Sequence, residues 1–428
     1  MRSAAGSTGP SEVTDVAAVQ RRTVQVLGGG VALAGLGVTV GITAGGLLAR
    51  DVAGTDSAGG LGQTAGVLGA AVLAVPLARI SGSAGRRAGL AVGYAVSVLG
   101  AVVTVVAAAA SSLPLLLGGL FLFGAATACG LQARYAAADL AEPQHRGRAL
   151  SLVVWATTVG SVLGPNLAAP GADLGTALGL PALSGAFVVS AVVFAVVSLG
   201  LLALLRPDPL LLARRLGGGA DGPAPRTSTG TALRAVWATP AGRLGLVSVV
   251  VAHAVMVGVM VMTPVHMGHA GGAEGTVLRV VGLVISVHVA GMYLFSPLVG
   301  ALADRVGPPA VVALGGGLLL AAAAVAGTAA PTESVRLGVG LLLLGLGWSC
   351  GLIAGSTLVT GAVDADLRPT AQGGTDLLMG LGAALAGAVG GPLLAWGGFG
   401  LVTGVSAALV APLALAWASV ALRPQRPR

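Results

Sequence analysis

Residues Leu294–Pro309 read L-F-S-P-L-V-G-A-L-A-D-R-V-G-P-P. An apolar run reaches Gly300, meets Asp304-Arg305 and Gly307, and stops at Pro308-Pro309. The next apolar run starts immediately. The runs on either side, 278–303 and 309–330, are long enough to cross a bilayer, which takes about 20 apolar residues in a helix. Two spans joined by so few residues must turn tightly at a membrane surface. Glycine permits the turn and proline suits the first position of the next helix.

The rest of the chain has the same character. Its 428 residues are 55% apolar and 9% charged, with a mean hydropathy of +0.93. Soluble domains carry about a quarter charged residues, so most of this chain belongs in lipid. A membrane β-barrel would show alternating segments of ~10 residues, and none occur. The net charge of +8 comes entirely from arginine, since there is no lysine. It is not clustered on a soluble face, which argues against nucleic acid as a partner. Together with 71 glycines, the absence of lysine reads as the composition of a GC-rich bacterial genome. Cys129 and Cys350 fall in apolar runs and read as small packing residues, with no metal or disulfide spacing.

Spans are expected at 24–49, 60–79, 88–110, 113–138, 148–169 and 182–205, then at 244–268, 278–303, 309–330, 337–361, 373–396 and 400–422. This is an all-α membrane protein of twelve helices. It divides into a tail (1–22), a six-helix half (23–205), a linker (206–243), a second half (244–422) and a tail (423–428). Arg21-Arg22 before the first run looks like an export signal, but that run is too long for a signal's apolar core of 7–15 residues. It is expected to stay as the first span. The linker holds G-G-G-A-D-G-P-A-P, a flexible composition. Its flanks, 210–216 and 231–237, either lie on an anionic membrane surface or form a solvated tether. With the N-terminus inside, nineteen of the 23 arginines fall on the cytoplasmic side and three (Arg50, Arg279, Arg336) outside. By the positive-inside rule both termini are cytoplasmic.

The spacing Gly300, Asp304, Arg305, Gly307 resembles the G-x-x-x-D-R-x-G turn of the major facilitator superfamily, although Pro308 and Pro309 stand where basic residues are usual. The resemblance implies a transporter of two pseudo-symmetric six-helix halves, with this turn as a cytoplasmic latch. Weak internal repeats agree. Pro76-Leu77 matches Pro297-Leu298, and Gly160-x-x-x-Gly164-Pro165 matches Gly387-x-x-x-Gly391-Pro392. Such repeats place a substrate site near the midplane between halves that rock about it. The stretch G-S-V-L-G-P-N-L-A-A around Gly160, Gly164 and Pro165 also resembles the antiporter motif of drug-exporting members. Glycines four apart serve plain helix packing equally well.

The turn after the second span reads P-L-A-R-I-S-G-S-A-G-R-R and has no Asp. In the family, that Asp faces the start of the eleventh span. Here the eleventh span itself carries Asp376, which is expected either to pair with Arg79 or Arg86 or to cap its own helix. Arg87 completes this turn. Arg134 and Asp139 close the fourth span, and Arg134 is expected to act in the gate with Asp139 or Asp304. The family's drug exporters often have an arginine at the position of Leu120, which puts their mode of proton coupling in question here.

His253 and His288 are expected near mid-membrane in adjacent spans. Intramembrane ionisable groups suggest function, so the pair is a candidate for proton coupling or substrate contact; a neutral His bonded to a neighbouring helix would look the same. The cavity lining implied by the family includes Thr39, Thr127, Met256, Trp348 and Ser349, joined by Trp155 and Thr157. It is mostly apolar and suits a hydrophobic or amphipathic substrate. His266 and His269 without a carboxylate do not make a metal site.

The expected function is proton-driven export of small hydrophobic or amphipathic compounds by a multi-pass protein of a bacterial cytoplasmic membrane, monomeric and without a cofactor. Uptake of a small nutrient by the same fold is the alternative. A membrane enzyme or receptor is the distant one, since there is no H-E-x-x-H, no G-x-S-x-G and no clustered carboxylates.

Overall fold

A computed structural model describes residues 10–54, 56–217, 227–269 and 274–421. Residues 1–9 of the first tail, the glycine-rich middle of the linker, the tail 423–428 and the side chains of Pro165 and Arg279 lie outside the described residues. The described residues are helical and form no strand.

The first half comprises α1 (Pro10–Ala53), α2 (Asp56–Ala84), α3 (Arg86–Ala109), α4 (Leu113–Phe123) with α5 (Ala125–Ala138), α6 (Arg146–Leu163) with α7 (Ala168–Ala177), and α8 (Gly185–Leu204). Helices α4 and α5 form one span around Gly124. Helices α6 and α7 form a span bent by 61° at the 3₁₀ turn Gly164–Leu167, where the missing N–H of Pro165 weakens the helical ladder. The linker contributes α9 (Pro209–Leu216) and α10 (Thr229–Ala238). The second half comprises α11 (Pro240–Gly268), α12 (Glu274–Tyr293) with α13 (Ser296–Val306), α14 (Pro308–Gly327), α15 (Ser334–Gly361), α16 (Arg368–Ala408) and α17 (Ala411–Ala421).

The run Arg368–Ala421 is 54 residues long. A straight helix of that length would measure about 80 Å against a hydrocarbon core of ~30 Å. It breaks at Gly397 and Gly398, where φ reaches 68° at the second, and returns as the last span. Gly85 and Gly307 both hold positive φ, 91° and 89°, each directly before a helix of the next span. The turn at Gly307 is therefore repeated at Gly85 in backbone form, even though its Asp is present only once.

Each half has its own core. Phe123 anchors the first, meeting Phe187 edge-on at 5.4 Å and Phe194 at 5.3 Å. Leu244, Val255, Leu341 and Ile353, fully buried, belong to the second. The structure corrects two expectations. Helix α1 begins at Pro10, well inside what reads as a polar tail. The linker flanks are not free tethers either: Pro209, Leu210 and Arg214 of α9 and Ala232 and Val236 of α10 are buried.

Candidate functional site

Contacts between the halves concentrate at the end that carries most of the arginines. Asp304 sits in the last turn of α13 and reaches the other half. Its carboxylate accepts from the N–H of Gly147 at 2.8 Å and of Arg148 at 2.9 Å. These are unsatisfied donors at the start of α6, where the helix dipole also favours an anion. The close approach needs small residues on both sides. A Cβ on Gly300 would lie 2.5 Å from the carbonyl oxygen of Gly147, and one on Gly147 would lie 2.8 Å from that of Gly300. Arg305, beside Asp304, is exposed and makes no hydrogen bond or ion pair among the described residues.

The pseudo-equivalent contact joins α2 to α16, with Gly373 packed against Ala74 and Ala78. Here the charges are internal. Arg134 Nη2 donates to Asp376 Oδ1 at 2.8 Å, with both side chains buried. Its Nε donates to Ser356 Oγ at 3.1 Å, and further N–H groups reach Tyr135 Oη and the Leu131 carbonyl. Arg86 makes a two-point pair with Asp139 at 2.7 and 3.2 Å. It also crosses to the other half by donating to Gln372 Oε1 at 2.6 Å. Gln372 passes the chain on to Thr360 Oγ1 at 3.1 Å.

This corrects the expected partners. Asp376 faces Arg134, not Arg79 or Arg86, and it does not cap its own helix. Arg134 meets neither Asp139 nor Asp304. Arg79 lies outside the network, 3.5 Å from Thr229 of α10. Arg87 joins through its backbone, donating to Asp208 at 2.8 Å. The reason is depth. Asp376 lies eight residues into α16 and Arg134 four residues from the end of α5, about 12 and 6 Å at 1.5 Å per residue. Arg79 is exposed and Arg87 half-buried.

Sequence reading missed Gln372, Ser356 and Arg214. Gln372 precedes Asp376 by four, which puts two polar groups on one face of an apolar helix; that signal was readable. Arg214 was not. From α9 it donates to the Gly82 carbonyl at 2.8 Å and pairs with Asp366 at 2.8 Å. It thereby ties the Asp-less turn of the first half to the turn before α16.

Nearer the middle, Trp348 Nε1 donates to His253 Nδ1 at 2.8 Å, and Tyr293 meets Trp348 edge-on at 5.5 Å. His288 is fully buried, with Nδ1 2.8 Å from the Leu341 carbonyl. A carbonyl only accepts, so that nitrogen carries the proton. The two histidines bond to α15 at positions seven residues apart, about 10 Å, and so do not form one pair. Met256 is 4% exposed and packs in the second core rather than lining space. Thr127 lines a small cavity of about 100 Å³ with Gln63 and Phe123. Trp155 is 42% exposed on α6. Gly160 packs against the backbone of α1, where a Cβ would stand 2.8 Å from Leu36 N, whereas Gly391 in the repeat faces open space.

A bundle of long apolar helices, a two-fold repeat and an Asp-bearing turn docked on a helix start of the opposite half meet in one chain, and the family comparison agrees. Residues 26–278 and 273–428 match the Major Facilitator Superfamily profile. The chain belongs to that superfamily. It is 37% identical to the uncharacterized MFS-type transporter YddS of Bacillus subtilis (strain 168), over 88% of this chain and 85% of that one. It is 30% identical to the riboflavin transporter RfnT of Brucella anthropi, over 58% of this chain and 57% of that one. Among solved structures, a bacterial homologue of the iron transporter ferroportin in its outward-facing state superposes with a TM-score of 0.69 at 15% identity, covering 94% of this chain and all of that one. That likeness concerns the fold. This major facilitator is a multi-pass membrane transporter whose two halves are bridged by polar contacts at its arginine-rich end.

Proposed function

We propose that this transporter exports small hydrophobic or amphipathic compounds across a bacterial cytoplasmic membrane in exchange for protons, with the arginine-rich end and both termini in the cytoplasm. One observation carries the coupling: Arg134 and Asp376 form a buried pair across the two halves, and Asp376 Oδ2 is buried without a hydrogen-bond partner. That oxygen is where a proton adds. Protonation neutralises Asp376 and strands Arg134, whose remaining neighbours are Ser356, Tyr135 and a carbonyl. Breaking a buried pair by removing one charge costs about 3–5 kcal/mol. Asp139 is already committed to Arg86 at 2.7 Å, so it does not take over as the partner of Arg134. The cost falls on the closed latch alone, and a proton taken up from the opposite side favours opening toward the cytoplasm. His253, whose Nδ1 accepts from Trp348, serves as the relay in this scheme. His288 is a helix-to-helix brace.

Export rests on the resemblance of the stretch around Gly160, Gly164 and Pro165 to the antiporter motif of drug-exporting members. The alternative is uptake of a small nutrient by the same fold, and riboflavin, the cargo named for one relative, is a compound to test for it. A single assay separates the two: flux of dyes, antibiotics and riboflavin in proteoliposomes under an imposed pH gradient. Export predicts movement of the compound against the proton flow. Movement with the proton flow favours uptake, and fluxes indifferent to the gradient overturn proton coupling.

A further inference from the structure

We propose that the cavity beside α1 at the arginine-rich end binds the phosphodiester of an anionic phospholipid. The cavity has a volume of about 730 Å³ and lies between α1, the turn before α6, the start of α6 and the end of α9. Arg21 and Arg148 line it from two separate elements. Both are exposed, and neither guanidinium has a partner among the described residues. Glu142, the acid of the same cavity, is occupied by its neighbours Gln144 at 2.7 Å and His145 at 3.3 Å. The wall is anchored, because Gln20 Nε2 donates to the Ala137 carbonyl at 2.7 Å and so holds the extended start of α1 to the end of α5.

Apart from Gln25, the remaining lining is apolar and continues along the membrane span. From Arg148, helical spacing leads to Leu152 (37% exposed), Trp155 (42%), Val159 (37%) and Val162 (59%), all on one face of α6. Two free cations above a continuous apolar ridge match a phosphate above an acyl chain. A free phosphate would use the cations and leave the ridge unexplained. The positions also suit the leaflet, since anionic lipids draw basic groups at the cytoplasmic surface.

The test uses the full chain in neutral detergent, with retained lipid counted by native mass spectrometry and thermal stability followed in parallel. Phosphatidylglycerol is expected to bind and raise Tm, and phosphatidylcholine is not. R21Q/R148Q is expected to reduce phosphatidylglycerol occupancy about tenfold or more, two arginines each contributing a several-fold gain, while its lipid-free Tm stays unchanged. R305Q/R336Q removes the same charge away from the cavity and is expected to bind as the parent does. Equal loss in both variants, or a shift of equal size with inorganic phosphate alone, would overturn the proposal.

Discussion

Replacing Asp376 by Asn tests the latch most directly. The substitution keeps the shape and deletes the charge that faces Arg134 at 2.8 Å in a fully buried setting. Arg134 then sits in the closed form with only neutral partners. The penalty of about 3–5 kcal/mol for an orphaned buried charge is two to three and a half factors of ten in an equilibrium constant. A latch that is closed 99:1 would be inverted by it, since that ratio corresponds to only about 2.7 kcal/mol. Spin labels on S83C and R305C, exposed sites on the two pseudo-equivalent turns, report the distance across the gate. Cys129 and Cys350 are buried and stay unlabelled. The parent should show the short distance at neutral pH and lengthen toward acid. D376N should be long at every pH. The double variant R134L/D376L should close again and lose the pH response, because a packed apolar pair is neutral or stabilising where half a pair is not. A D376N distance distribution identical to the parent's, in a variant that still folds, refutes the coupling.

Other substitutions separate the latch from ordinary packing. D304N removes the carboxylate from two N–H donors at the start of α6 and should cost about 1–2 kcal/mol, read as a longer S83C–R305C distance without a new pH dependence. G160A forces a Cβ into the backbone of α1 and should lower stability by about 1–3 kcal/mol, whereas G391A, facing open space, should stay within about 0.5 kcal/mol; melting curves in detergent compare the two. H253Q should slow pH-driven flux and leave substrate exchange intact, while H288Q should lower Tm with little change in the proton dependence of the surviving flux; the reverse assignment would exchange the roles of the two histidines.

The spans and the repeat were legible because each depends on local signals: apolar length, and glycine or proline at turns. Gly307 was readable for the same reason. The partners of the charged residues were not, because they depend on depth and on how the halves dock. Arg86 and Arg79 are both basic residues near the end of a span, yet one is 1% exposed and bonded across the molecule, and the other lies at the surface. The packing of α3 against α5 and the Arg86–Gln372 bond across the halves distinguish them. The histidines make the same point. Equal depth in sequence suggested a pair, but each turned to a different level of α15. The break in Arg368–Ala421 was expected as two spans; its cause, a left-handed Gly398, follows once the length is compared with the bilayer.

The two halves have solved one problem in different ways. In the second half, a carboxylate at the surface, Asp304, docks on backbone N–H groups of α6, a contact between a charge and a helix end with no titratable partner. In the first half, the corresponding position is Gly82, whose carbonyl is held by Arg214 of the linker, and the acid of this contact stands deeper and on the opposite half, as Asp376 of α16. The inward position changes what protonation does. A half-buried acid at a helix start, such as Asp304, loses about a kcal/mol or two when neutralised, which a closed interface tolerates. A buried acid facing a buried arginine loses several, which it does not. Under the proposed mechanism the proton-sensitive step lies at α5 and α16, and the contact of α6 with α13 is expected to survive acidification. A charge exchange, R134D/D376R, separates the two sides of this argument. It should restore the closed distance better than either single change and leave the Asp304 contact unaltered, and a failure of the double variant to improve on both singles would show that the pair is not the element being broken.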